Sequence, residues 1–177
     1  MEKQAKTYRI AITGPESTGK SELAKGLAEH FGCSWVPEYS REYLKKIGRE
    51  YVFDDILAIA RGQLMLEEEY YQASAAGYLF CDTELLVCKI WSYERFGKCD
   101  PWIQDRLNHH SYDLYLLCNT DIQWEPDPLR ENPDDRDRLL EKYKKELDDR
   151  SLPYAIINGS GNKRINNAIR IVNSYNF

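Results

Sequence analysis

Short apolar runs alternate along this chain with longer stretches in which apolar residues return every three or four positions. The runs Tyr8–Thr13, Ser34–Val36, Tyr78–Cys81, Asp113–Cys118 and Pro153–Ile157 predict five strands buried on both faces. The longer stretches predict helices. Lys20–Phe31 puts Leu23, Ala24, Leu27, Ala28 and Phe31 on one face, with Gly32 as a stop. Arg41–Ile47 predicts a short helix, and Asp54 or Asp55 is placed to cap a long one running to about Ala75. Leu85–Phe96, Pro101 to about His109, Asp135–Arg150 and Lys163–Tyr175 complete the set. Strands spaced by helices imply βαβ units, and so an α/β fold with a five-stranded parallel sheet covered by helices on both faces. The stretch Asn119–Asp134 is polar and broken by prolines, yet it carries Trp124 and Arg130, so it reads as a functional loop. No repeat or second domain shows, and residues 1–177 are expected to form one domain.

The chemistry concentrates after the first strand, where Gly14-Pro15-Glu16-Ser17-Thr18-Gly19-Lys20-Ser21 matches G-x-x-x-x-G-K-S between a strand and a helix. Gly14 and Gly19 allow a tight turn and a close approach of backbone to phosphate. The backbone N–H groups of Pro15's successors then form an anion nest at the positive end of a helix. Lys20 is expected on the β- and γ-phosphates and Ser21 on Mg²⁺. These loop residues, with Glu22 in the first helical turn, form the expected ATP-binding set. Asp82, at the end of a buried strand, has the Walker B position and is the second expected Mg²⁺ residue. Glu84 follows as a helix cap or a second acidic group.

Other candidates lie where an open parallel sheet binds ligands, beyond the carboxyl ends of its strands. Glu38-Tyr39-Ser40-Arg41-Glu42 brings a carboxylate, a ring and a cation to the end of the second strand. Glu38 is a candidate general base, Tyr39 a stacking ring, and Arg41 a partner for phosphate or carboxylate. After the fourth strand, Trp124 and Asp127 are candidates for substrate contact. Arg130, with Arg136 and Arg138 beyond it, is a candidate to reach the transferring phosphoryl group from a lid spanning about 119–138. Either Glu38 or Asp82 could accept the acceptor's proton. No N/T-K-x-D follows the fourth strand, where a guanine-reading GTPase would carry it; Cys118-Asn119-Thr120-Asp121 stands there.

The net charge of −5 and the lack of a basic stripe argue against a nucleic-acid partner. No run approaches the ~20 apolar residues of a membrane span, and the charged start, Met1–Tyr8, has no apolar signal core. The five cysteines form no C-x-x-C pair and read as reduced buried thiols of a cytoplasmic protein, and the histidines lack metal-ligand spacing.

Four segments together, G-x-E-S-T-G-K-S (Gly14–Ser21), E-Y-x-R-E (Glu38–Glu42), the segment Leu79–Glu84, which reads L-F-C-D-T-E against the family's I/L-x-D-T-D/E, and W-x-x-D-x-L-R (Trp124–Arg130), resemble the kinase domain of the NadR family of bacterial ribosylnicotinamide kinases. The resemblance runs from Tyr8 to the last helix. It implies an adenylate-kinase-like P-loop fold and ATP-dependent phosphorylation of nicotinamide riboside to the mononucleotide, in NAD synthesis. By position it implies that Glu38, Tyr39, Asp82, Asp127 and Arg130 line the riboside and phosphoryl site, and that Arg138 belongs to the lid. The chain departs from the family pattern at Pro37, Pro126 and Pro128, all near the expected acceptor site. Two readings stand beside this one: a kinase of another nucleoside or metabolite, and a nucleotide-binding regulatory ATPase.

Overall fold

A computed structural model describes residues 6–75, 77–110 and 112–177. The charged residues 1–5, on which part of the signal-peptide reading rests, lie outside them. In chain order the elements are β1 (Thr7–Thr13), α1 (Lys20–Phe31), β2 (Ser34–Val36), α2 (Tyr39–Ile47), α3 (Phe53–Ala73), β3 (Gly77–Asp82), α4 (Leu85–Phe96), α5 (Pro101–His109), β4 (Leu114–Cys118), α6 (Arg136–Asp149), β5 (Tyr154–Ile157) and α7 (Gly161–Ser174). The strands form one sheet in the order β2-β3-β1-β4-β5, and every pairing is parallel.

The alternation of side chains along each strand divides the core into two layers. Ile10, Ile12, Phe80, Leu114 and Leu116 face Leu23 and Leu27 of α1 and Ala168 and Val172 of α7. Ala11, Leu79, Cys81, Tyr115 and Leu117 face the other way, onto Ile56 and Ile59 of α3, Leu86 of α4, Ile103 of α5 and Leu147 of α6. Each fully buried aliphatic or aromatic side chain contributes about 1.5–3 kcal/mol, which makes the sheet a rigid base for whatever stands at its edge.

The helix starts differ from expectation in instructive ways. The long helix α3 begins at Phe53, before either aspartate. Asp55 lies inside the first turn and reaches back to accept a hydrogen bond from the Val52 N–H at 2.7 Å. It also accepts from Arg49 and from the Tyr43 hydroxyl, so one carboxylate ties α2, the connecting loop and α3 together. Helix α2 begins at Tyr39 rather than Arg41, because the buried Gln63 side chain accepts from the Tyr39 N–H at 2.9 Å and supplies the cap from another helix.

The register sets the site. Ile12 pairs with Asp82 and Thr13 with Leu117, so the carboxyl ends of β1, β3 and β4 finish together. Among the described residues no helix is long and apolar enough to cross a membrane. The cysteines are free, with Cys81, Cys88, Cys99 and Cys118 buried, and burial pushes the Cys99 and Cys118 thiols up to about 11, as inert core thiols require.

Candidate active site

An open cleft of about 990 Å³ lies across the carboxyl ends of the strands. One wall is the loop between β1 and α1. Gly14 sits at φ 130, and a Cβ there would come within 2.9 Å of the Cys118 carbonyl oxygen, so only glycine lets β1 turn beside β4. Gly19, at φ 74, opens α1 in a left-handed conformation. Ser17 takes the left-handed region as well, with φ 53. Between these points the Lys20 ammonium folds over the loop and donates to the Gly14 and Pro15 carbonyls at 3.0 and 2.7 Å.

The loop is held from beneath by a residue with no counterpart among the sequence candidates. Arg164 of α7 is 3% exposed. Its guanidinium donates to the Thr18 and Asn119 carbonyls at 2.9 and 2.6 Å, to the Gly159 carbonyl at 2.6 Å, and to the Asp121 carboxylate at 2.8 Å. One buried cation therefore joins the phosphate loop to the ends of β4 and β5. A signal was present in the sequence: Arg164, Ala168 and Val172 form one buried stripe of α7, and a cation on an apolar stripe requires buried acceptors.

Ser21 and Asp82 meet on the floor of the cleft, the Ser21 hydroxyl donating to Asp82 Oδ2 at 2.5 Å. The other oxygen, Asp82 Oδ1, is buried without a hydrogen-bond partner. Burial, then the nearby Glu38 carboxylate, push Asp82 up to about 6. A hydroxyl and an under-satisfied carboxylate are hard oxygen donors of the kind Mg²⁺ takes when substrate phosphates complete its shell, so these residues fit the ion. Among the described residues no group of three or more His, Cys, Asp or Glu could cage a metal without such phosphates. Behind them Glu84 caps α4, accepting from the Leu86 N–H at 2.6 Å and from the Thr13 hydroxyl at 2.7 Å. It is fully buried and pushed up to about 7 by that burial. Its place is the helix start, not the cleft.

The facing wall comes from α2, α4 and the loop after β4. Glu38 accepts from the Ser40 hydroxyl at 2.7 Å and from Arg41 Nε at 3.0 Å, and Arg41 Nη1 reaches Asp127 at 3.2 Å. Asp127 is lowered, first by the Leu129 N–H and then, against some burial, by Arg41. Thus Glu38 and Arg41, which line the cleft, and Asp127, which does not, form one carboxylate–guanidinium–carboxylate bridge between α2 and the loop. Arg130 lines the cleft and donates to the Ser17 hydroxyl at 3.3 Å and to the Glu125 carbonyl.

Other sequence candidates stand elsewhere. Tyr39 does not line the cleft. Its ring packs against Gly62 of α3, where a Cβ would meet it at 2.1 Å, so glycine there makes room for the ring. Trp124 also lies outside the lining, flanked by the guanidinium groups of Arg130 and Arg136 at 5.9 and 5.7 Å. Arg138 has no hydrogen bond to the phosphate loop among the described residues. It pairs with Asp135 at 2.7 Å and with Glu94, a cleft-lining residue of α4, at 2.6 Å, and it leads the pull that holds Glu94 down at about 2. Two residues earlier on α6, Arg136 takes the inward role, donating to the Ser17 carbonyl at 2.8 Å and to the Ile122 carbonyl at 2.9 Å.

A family model described as an AAA domain matches residues 9–164. The chain is 28% identical over 127 residues to the trifunctional NAD biosynthesis/regulator protein NadR of Salmonella typhimurium, and equally to that of Escherichia coli. That match covers 68% of this chain but 30% of either relative, so the chain corresponds to under a third of the curated proteins it resembles. Among solved structures, a NadR protein in complex with NR superposes with a TM-score of 0.81 at 22% identity, covering 96% of this chain and 51% of that one. A NadR protein in complex with NAD and AMP-PNP gives 0.77 at 22% identity, covering 96% and 49%.

Proposed function

The chain belongs to the AAA-domain family, and from that premise we propose that it is a small-molecule kinase, moving the γ-phosphoryl group of ATP to the 5′-hydroxyl of nicotinamide riboside. The single observation that carries the reading is that one cleft has a phosphate-binding loop on one wall and a second polar wall across from it. A nucleotide-binding regulator needs only the first. The NadR relatives named for NAD biosynthesis, and the NadR structures holding NR or AMP-PNP, support the choice of acceptor and donor.

In this reading the loop amides from Glu16 to Ser21, Lys20 and the amino end of α1 bind the β- and γ-phosphates. Ser21 and Asp82 would hold Mg²⁺, and the ion would supply positive charge against the charge that develops on the phosphates. Glu38 hydrogen-bonds the acceptor hydroxyl and takes its proton as the new O–P bond forms. The bond from the γ-phosphorus to the bridging oxygen breaks, and ADP leaves. Asp82 is engaged by the Ser21 hydroxyl, which favours Glu38 as the base; Arg41 and Ser40 fix its orientation. Arg130 comes to the transferring group from the loop. Electrostatic stabilisation of this kind is worth about 3–4 kcal/mol per well-placed donor. The activity belongs in the cytoplasm, where ATP is made available to such enzymes.

The test is the initial rate of ADP formation from ATP·Mg²⁺ across a panel of nucleosides that includes nicotinamide riboside. Selective stimulation by nicotinamide riboside is expected. Stimulation by a different nucleoside would move the acceptor assignment, and a slow rate indifferent to every nucleoside would return the protein to the regulatory class.

A further inference from the structure

We infer that Glu131 is a positioning residue that latches the loop after β4 across the cleft, joining the phosphate loop to the acceptor wall; this rests on the kinase reading of the cleft. Its backbone belongs to one wall. The Glu131 N–H donates to Glu16 Oε2 at 2.9 Å, and the Asn132 N–H donates to the same oxygen at 3.0 Å. Glu16 is a side chain of the phosphate loop itself. The Glu131 side chain belongs to the other wall. Tyr51 donates its hydroxyl to the Glu131 carboxylate, at 2.8 Å from each oxygen, and accepts from Trp91 Nε1 at 2.9 Å. Trp91 stands on α4 and lines the cleft, as Glu16 and Glu131 do.

The relay Glu16–Glu131–Tyr51–Trp91 therefore spans the cleft through one residue. The Tyr51 ring is fixed edge-on against Trp91, with centroids 5.0 Å apart, and burial raises its phenol well above the ordinary value, so it remains a donor at neutral pH. The latch has a direct consequence for the neighbouring residue. Arg130 precedes Glu131, so fixing the peptide at 131 fixes where Arg130 enters the cleft. Individually these hydrogen bonds are exposed or half-buried and worth a factor of only about 2–10 each. They suit a closure that must also open. A latch tied to both walls closes best when both walls are correctly filled, and it keeps water from the phosphates when it does.

The experiment compares wild type with Tyr51→Phe, Glu131→Ala and Glu131→Gln in the full chain. Hydrogen exchange of the peptide covering 125–132 is measured with AMP-PNP alone, and steady-state kinetics with both substrates. Tyr51→Phe and Glu131→Ala are expected to speed exchange in that peptide several-fold. They are expected to raise the acceptor KM about 3- to 10-fold, with the ATP KM changed less than about 2-fold. They are also expected to raise the ratio of acceptor-independent hydrolysis to transfer. Glu131→Gln, which keeps an oxygen for Tyr51, is expected to restore most of each property, and all three variants to melt within about 2 °C of wild type. Unchanged exchange in Tyr51→Phe overturns the latch, whatever the activity. So do equal rises in both KM values, or a Glu131→Gln variant as impaired as Glu131→Ala. A wild type that no nucleoside stimulates overturns the kinase reading instead, while the exchange result still decides whether the latch exists.

Discussion

The two walls of the cleft are built in different ways. The phosphate wall is local: eight consecutive residues turn between β1 and α1, and their backbone does most of the work. The acceptor wall is assembled from α2, α4 and the loop after β4, by side chains that meet across long stretches of chain, such as Arg41 with Asp127 and Tyr51 with Glu131. A wall made of backbone is set by where glycine is permitted, and tolerates few substitutions. A wall made of side chains is set by tertiary packing, and is where acceptor specificity can change while the transfer chemistry is kept. The comparison can be broken by showing that damage to one wall spreads equally to the other.

The largest effect is expected from Lys20→Ala. Turnover should fall by about 10³-fold or more, while acceptor affinity measured calorimetrically without ATP stays near wild type. A loss of acceptor binding equal to the loss of turnover would mean the walls are not separable. Arg164→Met follows. It strips a buried cation from the Thr18, Asn119 and Gly159 carbonyls and the Asp121 carboxylate. A cost of about 3–5 kcal/mol in urea unfolding is expected, and a cost under about 1 kcal/mol would show that the loop holds itself.

In the loop after β4, Arg130→Ala should lower kcat by about 10²-fold, and on α6, Arg138→Ala by less than about 3-fold, because Arg138 is engaged with Glu94 and Asp135. The reverse order would show that α6 rotates inward when substrates bind. On the acceptor side, Asp55→Asn should cost about 1–2 kcal/mol of stability at pH 7. The Arg49 guanidinium, then the Val52 N–H and the Tyr43 hydroxyl, hold the Asp55 carboxyl well below the usual range, against some desolvation. A depressed pKa adds stability above the unfolded value and loses it as pH falls toward the folded one, so the gap between variant and wild type should shrink in urea melts at pH 3. A constant gap would mean that packing, not charge, is what Asp55 contributes.

The smallest effect is expected at Thr83. This β-branched residue sits at φ 67 between Asp82 and Glu84, a conformation that costs about 1 kcal/mol or more. Thr83→Gly should raise the urea midpoint slightly. A fall would show that the threonine side chain repays its backbone strain through contacts in the cleft.

How much of this was legible in the sequence follows the same division. The strand runs, the P-loop and Asp82 could be read because each depends on residues adjacent in the chain. Tyr39 follows a motif, but its ring packs against Gly62, and no local pattern announces a glycine that receives a ring from another helix. The family resemblance points to Arg138, and in the sequence Arg136 and Arg138 look alike on a charged helix start. Only the fold shows which of them faces Ser17 and which faces Glu94. Arg164 could have been found from its place on the apolar stripe of α7, and was missed because it lies far along the chain from every motif.

The central claim is that donor and acceptor meet in one cleft and exchange a phosphoryl group directly. Following one reaction of ATP·Mg²⁺ and nicotinamide riboside by ³¹P NMR tests it most directly. The account predicts one phosphomonoester on the riboside for each ADP formed, with little free phosphate. ADP accompanied by an equal amount of free phosphate, and no phosphorylated riboside, would contradict it.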